Sequence, residues 1–173
     1  MTNLVTEFED IAEQLGATLH FSENKINIGG GVISPNCVFL LNLNYKGRTI
    51  KIKNATGTYF YGNVQSVILN RQSSLEFQLT TKSHFTNLFS RKKDRFKIQT
   101  SSNDIKTFIQ TSESILGLRQ ITQKDVFEPT IIGINSNGKY ELLIEYSLQF
   151  NDWPEAIIPI VNFYKAFIDK FGD

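Results

Sequence analysis

The chain has one cysteine, one methionine, one tryptophan and two histidines in 173 residues, and these scarcities exclude more than the abundant residues assert. A single thiol cannot close an internal disulfide, so the fold owes nothing to oxidation. Cys37 opens the apolar run Val38-Phe39-Leu40-Leu41, which predicts a buried, inert thiol, since a reactive thiolate needs a basic neighbour. His20 and His84 are far apart in sequence, and no His-x-His, Cys-x-x-Cys or His-Glu-x-x-His spacing occurs. A zinc site of the usual ligands is therefore not expected, and no cofactor is implied. No Gly-x-Ser-x-Gly elbow is present to expose a serine nucleophile. Gly29-Gly30-Gly31 is followed by Val32-Ile33-Ser34-Pro35, not by the Lys-Ser or Lys-Thr and helix of a phosphate loop, so it reads as a surface loop.

Long apolar runs are also missing. Nothing approaches the ~18 residues of a membrane-spanning helix, and no basic leader precedes an apolar segment. The expectation is a cytoplasmic protein without a transmembrane segment, with peripheral attachment to a membrane left open. Composition is otherwise ordinary at 40% hydrophobic and 20% charged. A length of this order predicts one domain able to bury its own core, spanning 1–173, with a β-rich 1–90 and a mixed 91–173 as candidate sub-halves.

Periodicity locates the elements. Leu4, Phe8, Ile11 and Leu15 recur at helical spacing among acidic residues, and Gly16 follows as a stop. Thr18–Phe21 and Lys25–Ile28 suggest a hairpin about Ser22-Glu23-Asn24. Cys37–Asn44 reads as a central strand. Arg48–Lys53 alternates Ile50 and Ile52 with lysine, as in a sheet with one wet face. Val64–Leu69 and Leu75–Thr81 suggest a hairpin about Asn70–Ser73. Phe85, Leu88 and Phe89 suggest a helical turn. Ser101 and Ser102 can cap a helix carrying Ile105, Phe108 and Ile109; Ile115, Leu116 and Leu118 mark a second. Thr130–Ile134, an Asn-Gly turn and the alternating run through Tyr140, Leu142, Ile144, Tyr146 and Leu148 form the clearest hairpin. Asp152 with Glu155 suggests a capped terminal helix, kinked near Pro159. Strands dominate early and helices bracket both ends, which predicts an α+β fold: an antiparallel, twisted sheet with the N- and C-terminal helices on one side.

Charge is unevenly placed. Residues 1–44 carry a net −4, residues 45–106 a net +9 and residues 107–173 a net −4. A basic surface in the middle would suit an acidic protein or an anionic surface. Its densest part is Arg91, Lys92, Lys93, Arg95 and Lys97, the first binding candidates. Tyr59 and Tyr61 are the others, because three consecutive aromatics on an extended chain cannot all face one core. Nucleic acid is not favoured: Lys51 and Lys53 lack interleaved aromatics. Glu141 and Glu145 share a face with Lys139 and Leu143, the outward side of the sheet.

The segment Tyr45-Lys46-Gly47-Arg48-Thr49-Ile50-Lys51-Ile52, followed about forty residues later by Arg95-Phe96-Lys97-Ile98 and a capped helix, resembles a pattern found in an uncharacterised bacterial domain family of unknown function. The likeness spans roughly residues 38–120. Such domains often follow transmembrane helices, which are not seen here. The resemblance implies a bacterial accessory or interaction role and transfers no site. Together these readings favour a non-enzymatic binding or protein-interaction module, of adaptor or immunity type. A small-molecule binder or enzyme with a pocket between sheet and helix is the alternative.

Overall fold

The computed structural model describes residues 2–27, 29–58, 60–69, 75–82, 95–124, 127–150 and 152–172. Eight strands build one antiparallel sheet: β1 (Thr18–Asn27), β2 (Ile33–Tyr45), β3 (Arg48–Thr56), β4 (Tyr61–Leu69), β5 (Phe77–Thr81), β6 (Phe96–Thr100), β7 (Thr130–Ser136) and β8 (Lys139–Ser147). Their order across the sheet is β1-β2-β3-β4-β8-β7-β5-β6. Among the described residues four α-helices accompany them: α1 (Thr2–Leu15), α2 (Asn103–Thr111), α3 (Ser114–Lys124) and α4 (Ile157–Phe171). The fold is α+β, as the distribution of strands and helices predicted.

All four helices share one face. Successive strand residues point to opposite sides, and the inward set of Phe39, Leu41, Ile50, Ile52, Val64, Leu142 and Ile144 is buried. Phe8 of α1 stacks on Phe39 at 4.2 Å between ring centroids. Phe167 of α4 stacks on Phe77 and Tyr140 at 5.8 and 5.9 Å. Phe108 of α2 packs edge-on against Phe167. The Tyr164 hydroxyl lies 2.5 and 2.9 Å from the Val64 and Leu142 carbonyl oxygens, seating α4 across β4 and β8. Burial raises the Tyr164 phenol well above its ordinary pKa, so it stays a donor.

Two tight approaches fix the inner face. A Cβ at Gly62 would stand 2.2 Å from the Tyr146 ring, and one at Gly133 would stand 1.9 Å from the Tyr140 hydroxyl oxygen. Those hydroxyls donate to Asn54 Oδ1 (2.8 Å) and to the Leu75 carbonyl (2.7 Å). Glycine is needed at both places for space.

Local expectations met mixed outcomes. Asn137 and Gly138, both at positive φ, turn β7 into β8, and the Ser102 hydroxyl accepts from the Ile105 N–H at 3.3 Å to cap α2. The expected break at Ser22-Glu23-Asn24 is absent: β1 runs unbroken through it. The chain reverses later, where Gly29, Gly30 and Gly31 all take positive φ, a conformation only glycine adopts without strain. The expected Val64–Leu69 with Leu75–Thr81 hairpin is not formed. β4 pairs with β8, and β5 lies between β7 and β6, so 1–90 and 91–173 interleave in one sheet. β2 is one strand from the edge, not central. The Asp152 side chain makes no cap bond; its carbonyl accepts from Glu155 N–H at 2.9 Å as a 3-10 turn, Trp153–Ala156, leads into α4. Pro159 falls in the first turn of α4, where its missing N–H costs nothing, so it has no hydrogen bond to break. The turn expected at Phe85–Phe89 lies outside the described residues.

A polar cluster ties the β2–β3 turn to α4. Tyr45 donates to both Asp169 carboxylate oxygens at 3.0 Å, and Lys46 Nζ lies 2.6 Å from Asp169 Oδ1. Lys46, then Tyr45, hold the Asp169 carboxyl below its usual pKa. The bond to Asp169 raises that of the Tyr45 phenol. The signs bound a window. A depressed carboxyl gives stability present above its unfolded pKa and lost as pH falls through the folded value. A raised phenol gives stability present below its unfolded pKa and lost as pH rises toward the folded value. The Tm difference between wild type and Asp169→Asn should therefore be largest between about pH 4 and pH 10 and shrink outside it. Thermal melts across pH check this; a pH-independent difference would refute it.

Candidate functional site

The other face of the sheet, helix-free among the described residues, carries the candidate binding surface. Its residues line up in cross-strand rows fixed by the register. One row runs Leu40, Lys53, Asn63, Glu145, Thr130; the next runs Asn42, Lys51, Gln65, Leu143, Ile132. Lysines stand on β3 and glutamates on β8, with β4 between. Two strand spacings separate them, about 10 Å, too far for an ion pair. Among the described residues the ion pairs are Lys46–Asp169 and Arg95–Glu128, so both walls keep their charges for something else. Lys53 also lies 5.6 Å from the Tyr61 ring centroid.

A hollow of about 710 Å³ opens at one end of this face, lined by Arg48 and Lys51 on one side, Glu141 on the other, and Gln65, Val67 and Leu143 between. It forms because the strands part there. The β3–β4 ladder ends at Lys51 opposite Gln65, and the β4–β8 register shifts between Val67 and Leu69. Arg48 spans the parting: its Nε donates to the Ile68 carbonyl at 2.5 Å and its Nη1 to the Lys46 carbonyl at 3.1 Å. Ser66, another lining residue, is buried, and its hydroxyl has no hydrogen-bond partner among the described residues. Val67 and Ile134 at the hollow are 41% and 40% exposed. The arrangement offers two cations, of which Arg48 is anchored, a facing carboxylate and an apolar floor. It can hold a ligand by charge and shape.

The residues singled out from sequence fare differently. Arg95 is a correction. It is 2% exposed and its guanidinium is spent internally: Nε and Nη2 donate to the Lys82 carbonyl at 3.1 and 2.9 Å, Nη1 to the Thr122 carbonyl, and Nη2 to Glu128 Oε1 at 2.7 Å. It clips the end of β5 to the last turn of α3 and to the approach to β7. Counting charges along the chain cannot see this, because a buried arginine and a surface one count alike. Lys97 is exposed on β6, on the helix-free face but with four strands between it and the β3 lysines, so the structure does not bring them together. Arg91, Lys92, Lys93 and Tyr59 lie outside the described residues. Tyr61 is exposed, as is Phe60. His20 is exposed on β1, and His84 lies outside the described residues. Cys37 is buried, with its thiol pKa raised by that burial.

Among the described residues no group of three or more His, Cys, Asp and Glu gathers in metal-binding geometry, and no helix is long and apolar enough to cross a membrane. One continuous core occupies the space between sheet and helices, apart from an apolar hollow of about 70 Å³ beside α1, lined by Leu4, Val5, Phe21, Cys37 and Phe39 among others. Tyr140 is fully buried within that core, while Glu141 lines the hollow on the opposite face. Comparison with protein-family models, curated proteins and solved structures returns no match to this chain. The site must therefore be read from its own geometry.

Proposed function

We propose that this chain is a non-enzymatic protein-interaction module, of adaptor or immunity type, that receives its partner on the helix-free face of the sheet. The binding surface is formed by the basic strand β3 and the acidic strand β8 rather than by the basic run near Arg91. The observation that carries it is the hollow at the parting of β3 and β4, with unpaired charge of both signs and half-exposed Val67 and Ile134. Buried apolar contact at such a face would supply affinity, and the two charged walls would set register and specificity. Immobilised wild type and the Val67→Lys/Ile134→Lys variant, offered native lysate, test it. A stoichiometric protein retained by wild type, lost from the variant and weakened by salt is the expected result. No retained protein, or equal retention by the variant, refutes it.

A second reading is favoured by volume alone: about 710 Å³ falls within the roughly 300–1,000 Å³ of small-molecule sites. It places a small molecule in the hollow rather than between sheet and helix. Native mass spectrometry would then show an adduct on wild type that Arg48→Met loses.

A further inference from the structure

The geometry points to self-association of this chain through its free edge, with β1 of one copy pairing antiparallel to β1 of another about Asn24. Among the described residues β1 is the outermost strand and pairs only with β2. Its ten residues leave one whole row of backbone N–H and C=O groups without a strand, a template for a further strand. The far half of β1 is the least supported part of the sheet. β3 begins to pair with β2 only at Cys37 opposite Thr56, so Ile33–Asn36 of β2 and Asn24–Asn27 of β1 form a two-stranded ribbon beyond it. Two strands alone are marginal in water. Apolar surface is nonetheless exposed along this end of the edge: Ile33 in the ribbon is 60% exposed, and Phe21, just before it on β1, is 40% exposed.

The side chains choose the partner. Natural edges are often guarded by like charge, which repels a second copy. Here Glu23 and Lys25 flank Asn24 with opposite signs, both exposed. An antiparallel pair keeping both helix layers on one side must match inward residues with inward residues. Centred on Asn24, that register sets Glu23 opposite Lys25 of the second copy, and Lys25 opposite its Glu23. Phe21 then meets Asn27, Ser22 meets Ile26, and Asn24 meets itself. The contact is isologous, so it closes as a dimer instead of growing. Centring one residue earlier, on Glu23, would place the two Glu23 carboxylates face to face. Seven residues a side bury less than the roughly 800 Å² per partner of a standard interface, so the dimer is weak and populated at high concentration.

Sedimentation velocity from 10 µM to 1 mM on wild type, Glu23→Lys, Lys25→Glu and the double exchange tests this. Wild type should self-associate. Each single exchange creates two like-charge pairs and should weaken association about tenfold or more. The double exchange should restore it, because reversing both charges regenerates both pairs; an unrelated partner or a non-specific apolar contact would not follow that pattern. All four proteins should melt alike, since both positions are exposed. A wild type that stays monomeric throughout, single exchanges that associate like wild type, or a double exchange that fails to recover would overturn the proposal.

Discussion

Gly133→Ala should cost about 3–5 kcal/mol and lower Tm by roughly 6–20 °C, although it adds a single methyl group. Gly133 sits on the inner face of β7. Its new Cβ would stand 1.9 Å from the Tyr140 hydroxyl oxygen and 2.6 Å from the Phe77 ring. Neither neighbour can yield cheaply. The Tyr140 ring is stacked on Phe167 with planes 2° apart, and its hydroxyl donates to the Leu75 carbonyl at 2.7 Å. Displacing it forfeits a buried hydrogen bond, about 1–3 kcal/mol, on top of about 1–3 kcal/mol for overpacking a dense core. A domain of this size loses about 2–4 °C per kcal/mol. Urea and thermal melts read the effect. Gly133→Ala/Tyr140→Phe should recover part of the loss by removing the oxygen, leaving the Phe77 contact. A Gly133→Ala protein as stable as wild type would mean that β7 and Tyr140 are not packed as described.

Arg95→Ala should be nearly as severe, at about 3 kcal/mol. Charge-assisted hydrogen bonds contribute about 1.5–3 kcal/mol each and do not add. Arg95 supplies them to the Lys82 carbonyl, the Thr122 carbonyl and Glu128. The Thr122 oxygen ends α3, where the last carbonyls have no partner within the helix, so truncation strands a buried acceptor. Glu128 is 38% exposed and can return to water, which keeps the loss below that of a wholly buried pair. Arg95→Lys should recover less than half, because an ammonium cannot reach three acceptors set out for a planar fork. Hydrogen exchange should show the damage at the β5–β6 pair and the end of α3, with β1–β3 unaffected. Uniform loss of protection, or none, would refute the clip. If Arg95 instead served a surface site, its removal would leave stability unchanged.

Arg95 also marks the boundary of what residue order conveys. It belongs to the run Arg91-Lys92-Lys93-Asp94-Arg95, and nothing local separates it from its neighbours. What withdraws it from the surface is the convergence of Lys82, Thr122 and Glu128, separated from it by 13, 27 and 33 residues. The candidate site was half legible in the same way. Alternation on β3 and β8 put Lys51 and Lys53, and Glu141 and Glu145, on wet faces. That these are two sides of one surface depends on β4 lying between them, and β4 was expected to pair with β5. The hollow depends on where the β3–β4 ladder stops, for which the sequence carries no marker.

The pattern of side chains was enough for everything that depends on neighbours one to four positions away. It set the amphipathic first helix, the inward and outward faces of β3 and β8, the Asn137-Gly138 turn and the Ser102 cap, because period and turn chemistry act locally. The tertiary structure alone decided strand order, the late reversal at Gly29–Gly31, the burial of Arg95 and the open face with its free β1 edge. Each of these is settled by competition among distant strands for the same hydrogen bonds and the same core. The winning pairing is a property of the whole sheet, which no short window of residues contains.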